Sequence, residues 1–361
     1  MIRIDEIYCN TFLPRIQAKP AHGMHWFDPF GSVAWADLCS SPAVPWAKDS
    51  VRYLFWDQEP LHTDQVDAVL GLYTAMYNDG GQQHIITSEY ASENVARIQA
   101  TYGFEPHYYF FHGWAALDWF RGYDRSYLMT PYRQRRITRT FIAPNRIVAG
   151  ERKHRLIMLY HIFKSGMINN HISCPAVCPV ENIAIKDAVK DLVTTHPDIA
   201  EVFDKQTFPM EFAGETGSPM HSCWLSLFEQ SAESLLYLVT ETVATGRRQH
   251  LTEKTFKPIA LGMPFVIVGC RGSLAYLRRY GFRTFGHLWD ETYDDEINDD
   301  QRIEKIAFTL RAMDCLPAHE KQRLFDLAEE VCEHNYRHFY SGGFEAVLWA
   351  ELEAMLEGMR V

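Results

Sequence analysis

The chain is short of positive charge, of paired cysteines and of long apolar runs, and each shortage removes a class of protein. Lysine and arginine number 35 against 46 aspartates and glutamates, a formal net charge of −11 over 361 residues. Charge of that sign opposes a general electrostatic grip on DNA or on an anionic membrane and leaves only a local basic groove for either. The eight cysteines stand at 9, 39, 174, 178, 223, 270, 315 and 332, and none forms a CxxC pair. Cys174 and Cys178 are one close pair, each followed by proline, but no second pair lies at zinc-finger spacing. The set reads as free thiols in a reducing compartment, with no metal site. The longest apolar stretch, 259–270, is interrupted by Gly262 and Pro264 and is too short to span a bilayer. The first ten residues carry Arg3, Asp5 and Glu6 without an apolar core, which predicts no signal peptide and a soluble, cytoplasmic protein. No repeat or low-complexity tract is visible. The acidic run 290–300 lacks EF-hand spacing and reads as a solvated loop.

What is present is ordinary globular material, 47% apolar and 22% charged, unusually rich in aromatics at 14%. Most of those rings are expected in the core, including Phe110, Phe111, Trp114 and Trp119, although ring faces also suit sugars and bases. His22, His25 and Trp26 stand in a Gly- and Pro-rich stretch and read as a loop. Apolar, β-rich segments at 51–56, 84–86 and 107–111 alternate with helical spacing at 63–76 and 92–102. An irregular basic stretch, 124–140, with Arg133, Arg135, Arg136 and Arg139, reads as a linker. A second series follows: strands at 140–143, 235–240 and 264–268, and helices at 152–165, 183–195, 252–261 and 274–280. Helical segments at 301–313, 318–334 and 344–359 close the chain. Strands alternating with helices predict α/β architecture with parallel sheets. The expected organisation is an N-terminal α/β domain over 1–138, a second α/β domain over 139–335, and a C-terminal helix over 336–361 packing back on the first. Two such halves imply a cleft, with ligands at the carboxyl ends of the strands.

The most specific segment is 235–269, LLYLVTETVATGRRQHLTEKTFKPIALGMPFVIVG. A strand ends at Thr240-Glu241-Thr242, a polar loop carries Arg247 and Arg248, and a helix starts at Thr252-Glu253-Lys254. A helix N-terminus beside Lys254 and Lys257 suits an anion, and Glu253 suits a ribose diol. The same residues also read as a capped surface helix with solvated lysines, and the physical reading leaves the two open. The segment resembles the donor-binding signature of the alpha-1,3-fucosyltransferases and related GT-B glycosyltransferases. That family has a strand ending in Phe-Glu-Asn, then Ile-Thr-Glu-Lys-Leu-Trp, then an apolar strand with Pro and Gly. The resemblance implies two Rossmann-like domains facing a cleft. It places Glu253 on the nucleotide ribose, Lys254 on the diphosphate, and Glu241 on the donor sugar or its loop, with Thr242, Thr252 and Lys257 beside them.

Residues 141–159, FIAPNRIVAGERKHRLIML, are similar to the family's strand, Asn-containing loop and basic helix. There Asn145, Arg155 and then Arg146 become candidates for the diphosphate, because a guanidinium fork is bidentate and always charged. A solvated basic helix face is the competing reading for Arg152 and Lys153. Residues 51–63, VRYLFWDQEPLHT, resemble the family's strand running into Glu-Ser-Pro. Glu59, placed ahead of Asp57, is the candidate general base for an acceptor hydroxyl, with a turn cap as the alternative. Glu89 is a further carboxylate at a strand end.

These readings imply a glycosyltransferase that moves a sugar from a nucleotide-diphosphate sugar to an acceptor hydroxyl. Inversion, independence of metal and absence of a cofactor are carried by the resemblance. The expected partners are the nucleotide sugar and either a glycan or a hydroxymethylated DNA base, the latter an acceptor that some bacteriophage enzymes use, with no stable membrane insertion. Two alternatives stand beside it: a non-catalytic nucleotide- or glycan-binding protein, and a metal-dependent GT-A-type transferase using Asp57 and Glu59.

Overall fold

The computed structural model describes residues 3–17, 22–27, 51–56, 58–76, 81–123, 130–212 and 224–359. They form a mixed α/β protein with parallel sheets and many helices. The chain divides into two compact units, one of Met1–Asp118, Arg247–His250 and Phe344–Val361, the other of Trp119–Gly246 and Leu251–Gly343. The division thus falls ahead of the basic stretch rather than within it at 138, and the last helix belongs with the first unit.

The first unit holds a parallel sheet in the order β1-β2-β3-β4, formed by β1 (His22–Phe27), β2 (Val51–Trp56), β3 (Gln82–Thr87) and β4 (Glu105–Tyr108). Helix α1 (Thr63–Met76) joins β2 to β3, and α2 (Glu93–Tyr102) joins β3 to β4. Strand alternation decides what each face meets. Leu54 and Trp56 join Ile85, the α1 residues Val66, Val69, Leu70 and Tyr73, and Ile98 of α2 in one buried cluster. Phe55, on the opposite face, meets Phe12 and Tyr109 edge-on at 5.4 and 5.6 Å. Helix α2 starts at its cap Ser92, whose Oγ accepts the Asn94 amide, and stops at Gly103, whose φ of +71° suits a residue without a Cβ.

Two expectations fail here. The stretch with His22, His25 and Trp26 is strand β1, paired along its length with β2. Gly23 and the two histidines dilute the strand preference of Trp26 and Phe27, and the strand is defined by its pairing with β2. The strand expected over 107–111 ends at Tyr108, and Phe111 opens α3 (Phe111–Phe120). An aromatic run buries equally well in either state, and here Phe110 packs on Phe344 and Trp114 on Trp349, with ring centroids 6.4 and 4.8 Å apart.

The second unit holds a sheet in the order β10-β9-β5-β6, all parallel, from β5 (Arg139–Ala143), β6 (His171–Ile172), β9 (Ser234–Thr240) and β10 (Phe265–Val268). Between β6 and β9, the pair β7 (Val177–Cys178) and β8 (Ile183–Ala184) forms a small antiparallel ladder. It replaces the start of the helix expected over 183–195: Asn182, at φ +49°, turns the chain back, and only a single helical turn and a 3-10 turn follow. Every residue of β9 and β10 is buried, as parallel strands covered on both faces require. The covering helices are α4 (His154–Lys164), α5 (Glu253–Ala260), α6 (Ser273–Arg279), α7 (Asp299–Asp314), α8 (Ala318–Leu327) and α9 (Glu329–Tyr340), while α10 (Gly343–Gly358) leads into the first unit. The helix expected over 318–334 is therefore two, meeting at Ala328. From β5 the chain moves outward to β6, then returns to β9 on the other side and continues to β10. The strand order reverses between β5 and β9, the point at which an open parallel sheet receives ligands beyond its carboxyl ends.

The acidic run is only partly a solvated loop. Asp294 is buried and accepts the Leu274 and Ala275 amides at the start of α6, and Glu291 accepts the Phe285 amide and the Thr284 hydroxyl. Among the described residues no helix is long and apolar enough to cross a membrane.

Leu54→Ala should lower stability by about 2–5 kcal/mol in chemical denaturation, because the cavity opens beneath α1. Lys190→Ala, on the exposed surface, should leave stability nearly unchanged. Equal effects for the two would contradict the described packing of α1 on the sheet.

Candidate functional site

The loops after β5 and β9 meet where the strand order reverses. Thr240, the last residue of β9, donates its hydroxyl to Asn145 Oδ1 at 3.0 Å, and the Asn145 amide is held by Ser173 Oγ at 2.9 Å. Arg155, in the first turn of α4, is buried and spends its guanidinium on main-chain carbonyls: Ile147 O at 2.7 Å, Thr240 O at 2.9 Å and Glu241 O at 3.0 Å. Its charge is disfavoured by burial and by neighbouring Arg152, which bring its pKa down to about 10. Arg155 therefore fixes the shape of both loops. Arg146, in the loop after β5, is partly exposed, with no hydrogen-bond or ion-pair partner among the described residues.

Glu241 is wholly buried, and its carboxylate organises the start of α5. It accepts the Thr252 amide at 3.1 Å, the Thr252 hydroxyl at 2.5 Å, the Thr255 hydroxyl at 2.6 Å and the Thr242 amide at 3.3 Å. Four donors are what a buried carboxylate needs to offset its lost hydration. Thr252 is the N-cap of α5, its oxygen 3.5 Å from the Lys254 amide. Lys254 folds back over this end, with Nζ 3.2 Å from both Thr242 Oγ1 and Thr252 Oγ1 and 2.9 Å from Glu253 Oε1. Its side chain is about one-third exposed, at 31%. Glu253 is buried, and Lys257, one turn on, is partly exposed. The site thus combines a helix start capped by Glu241 and Thr252, a partly exposed ammonium paired with Glu253, and the partly exposed guanidinium of Arg146.

The sequence gives no sign of two further parts of this frame. Arg302 is buried and binds Ala244 O at 2.5 Å, Gly269 O at 3.0 Å and Glu296 O at 3.0 Å, joining the ends of β9 and β10 as Arg155 joins those of β5 and β9. His154 lies against Glu241 O at 3.0 Å, which places its proton on Nε2. The basic stretch is also largely engaged. Arg135 is buried on Leu261 O, Gly262 O and Thr130 O, and Arg133 pairs with Glu329 at 2.7 Å. Among the described residues no group of His, Cys, Asp and Glu is arranged to hold a metal ion.

In the first unit, Glu59 is partly exposed in the loop after β2, and Asp57 lies outside the described residues. Gln58, beside Glu59, has a φ of +26°, a strained value for a side-chain-bearing residue. Glu89, at the end of β3, is buried. It accepts the Leu61 amide at 2.9 Å and the Ser92 hydroxyl, and lies 3.5 Å from Arg248. Burial pushes its carboxyl upward, and Arg248 opposes that shift. The loop carrying Arg248, read from sequence as part of the donor segment, belongs to this unit: Tyr90 and Gln249 exchange both amide hydrogen bonds, at 2.9 and 2.8 Å. Set against protein-family models, curated proteins and solved structures, the chain finds no match in any of the three.

Burial, reinforced by Arg155, lowers the pKa of His154 from its usual 6.5 to about 3. The unfolded chain takes up this proton below pH 6.5, whereas the folded chain resists it down to about 3. Stability from this group is therefore full above pH 6.5 and is lost as the pH falls through that window. His154→Gln should flatten the dependence of unfolding free energy on pH between 6.5 and 3, by up to about 1.4 kcal/mol per pH unit. Parallel pH profiles for the two proteins would show that the imidazole titrates alike in both states.

Proposed function

We propose that this protein is a glycosyltransferase of the GT-B type, with the second unit binding a nucleotide-diphosphate sugar. The observation that carries the proposal is the convergence of Asn145, Arg146, Thr242, Thr252, Glu253 and Lys254 beyond the carboxyl ends of β5 and β9, where the strand order reverses. Glu253 would accept the ribose hydroxyls. Lys254 and Arg146 would lie against the diphosphate. Arg155 and Glu241, engaged with the protein itself, would act as positioning residues for these groups.

In the transfer, the acceptor oxygen attacks the anomeric carbon as the bond to the diphosphate oxygen breaks. Glu59 takes the acceptor proton, and the positive groups stabilise the charge gathering on the departing diphosphate. Attack opposite the leaving group inverts the anomeric centre. A glycan acceptor is favoured over a modified DNA base because the net charge is −11 and, within the basic stretch 124–140, Arg133 and Arg135 are held by Glu329 and by backbone carbonyls.

A thermal-shift screen with UDP, GDP, ADP and CMP should give stabilisation by one of the four. Lys254→Ala should weaken that ligand by about 10- to 100-fold, since it removes a charge-assisted contact. Glu59→Gln should leave the shift intact and lower release of the nucleoside diphosphate from the matching sugar nucleotide by about 100-fold or more. A shift that survives with no turnover in the wild type would instead support a binding protein, and no shift with any nucleotide would remove the donor site.

A further inference from the structure

We infer that Glu89 is a positioning residue for Glu59, holding the loop 58–61 in one conformation through the Leu61 amide. The inference rests on the reading of Glu59 as the acceptor base.

The loop is gripped on both sides of Glu59. On one side, the carbonyl of Gln58 accepts His112 Nε2 at 2.8 Å. On the other, Leu61 is held by both of its main-chain polar groups: its amide donates to Glu89 Oε2 at 2.9 Å, and its carbonyl accepts Asn94 Nδ2 at 2.8 Å. At the first grip the backbone is under strain, with Gln58 at a φ of +26°. A backbone in that state persists only where its surroundings over-determine it. A turn that served only to cap a strand would need no such hold.

The groups that grip the loop are themselves braced. Ser92, the cap of α2, gives its hydroxyl to Glu89 Oε1, so the carboxylate is fastened to a helix start. Arg248 faces the same carboxylate, with a side chain only 11% exposed. His250 meets His112 edge-on with ring centroids 5.1 Å apart. Both residues come from the four-residue segment Arg247–His250, which is tied to the end of β3 and the start of α2 through Tyr90 and Glu93. Glu89 is itself buried and too enclosed to meet an acceptor, which is why its contribution is assigned to the loop and not to the chemistry.

The test compares wild type, Glu89→Ala, Glu89→Gln and Asn94→Ala. The last loosens Leu61 without removing a buried charge and serves if Glu89→Ala fails to fold. Hydrogen–deuterium exchange reports on residues 58–61, and release of nucleoside diphosphate from the sugar nucleotide chosen by the thermal shift reports on turnover. Glu89→Ala and Asn94→Ala should speed exchange in the loop and lower kcat, by as much as about 100-fold for a displaced base. The KM for the sugar nucleotide should stay unchanged, and Glu89→Gln, which keeps an acceptor for the Leu61 amide, should recover part of kcat. Faster exchange with unaltered kcat would overturn the inference while leaving the transferase reading in place. So would equal losses of kcat in the Ala and Gln variants without a change in exchange. A wild type that releases no nucleotide from any sugar nucleotide overturns the transferase reading, and the inference with it.

Discussion

A carboxylate that reaches no water must find its hydrogen-bond donors inside the protein, and Glu241 finds them at the first turn of a helix. The Thr252 amide and hydroxyl and the Thr255 hydroxyl all point at it. That requirement fixes where α5 begins relative to the end of β9. It therefore also fixes where Glu253 and Lys254 stand. Arg155 completes the frame from the other side, binding the carbonyls of Thr240 and Glu241 and drawing in the loop after β5 through Ile147. The exposed positive groups of the candidate site are carried on this frame and do little to build it.

The first unit repeats the device. Glu89 follows β3 as Glu241 follows β9, and each is buried beyond the carboxyl end of a parallel strand. Each accepts the hydroxyl of a helix cap, Ser92 in one case and Thr252 in the other, together with a main-chain amide. In both units the carboxylate just beyond the end of an inner strand is internal scaffolding. The groups proposed to meet substrate, Glu59 in one unit and Lys254 in the other, are the partly exposed residues that the scaffolding supports.

Much of this was legible in the sequence, for identifiable reasons. Strands β2, β9 and β10 are buried on nearly every residue, so they read as unbroken apolar runs, and α1 shows clear helical spacing. Thr252 announces itself as a cap because its hydroxyl precedes an acidic first turn. Strand β1 was hidden because Gly23, His22 and His25 dilute the strand preference of Trp26 and Phe27, and its pairing forms only in the fold. The bonds of Arg302 and Arg155 were hidden because their partners are carbonyls, which every residue possesses. Glu241 and Glu89 looked like ligand-facing groups because a carboxylate after a strand has the same sequence signature whether it faces solvent or a helix start.

The two arginine clamps have one more consequence. Arg155 and Arg302 grip the main chain at Ile147, Thr240, Glu241, Ala244, Gly269 and Glu296. A clamp made on carbonyls is indifferent to the side chains that carry them. Over evolutionary time, several of these positions can change identity while the loops keep their shape, provided the two arginines persist. Relatives of this protein would then share the geometry of the strand ends while agreeing at few residues, and the two arginines would be better landmarks than the loops they hold.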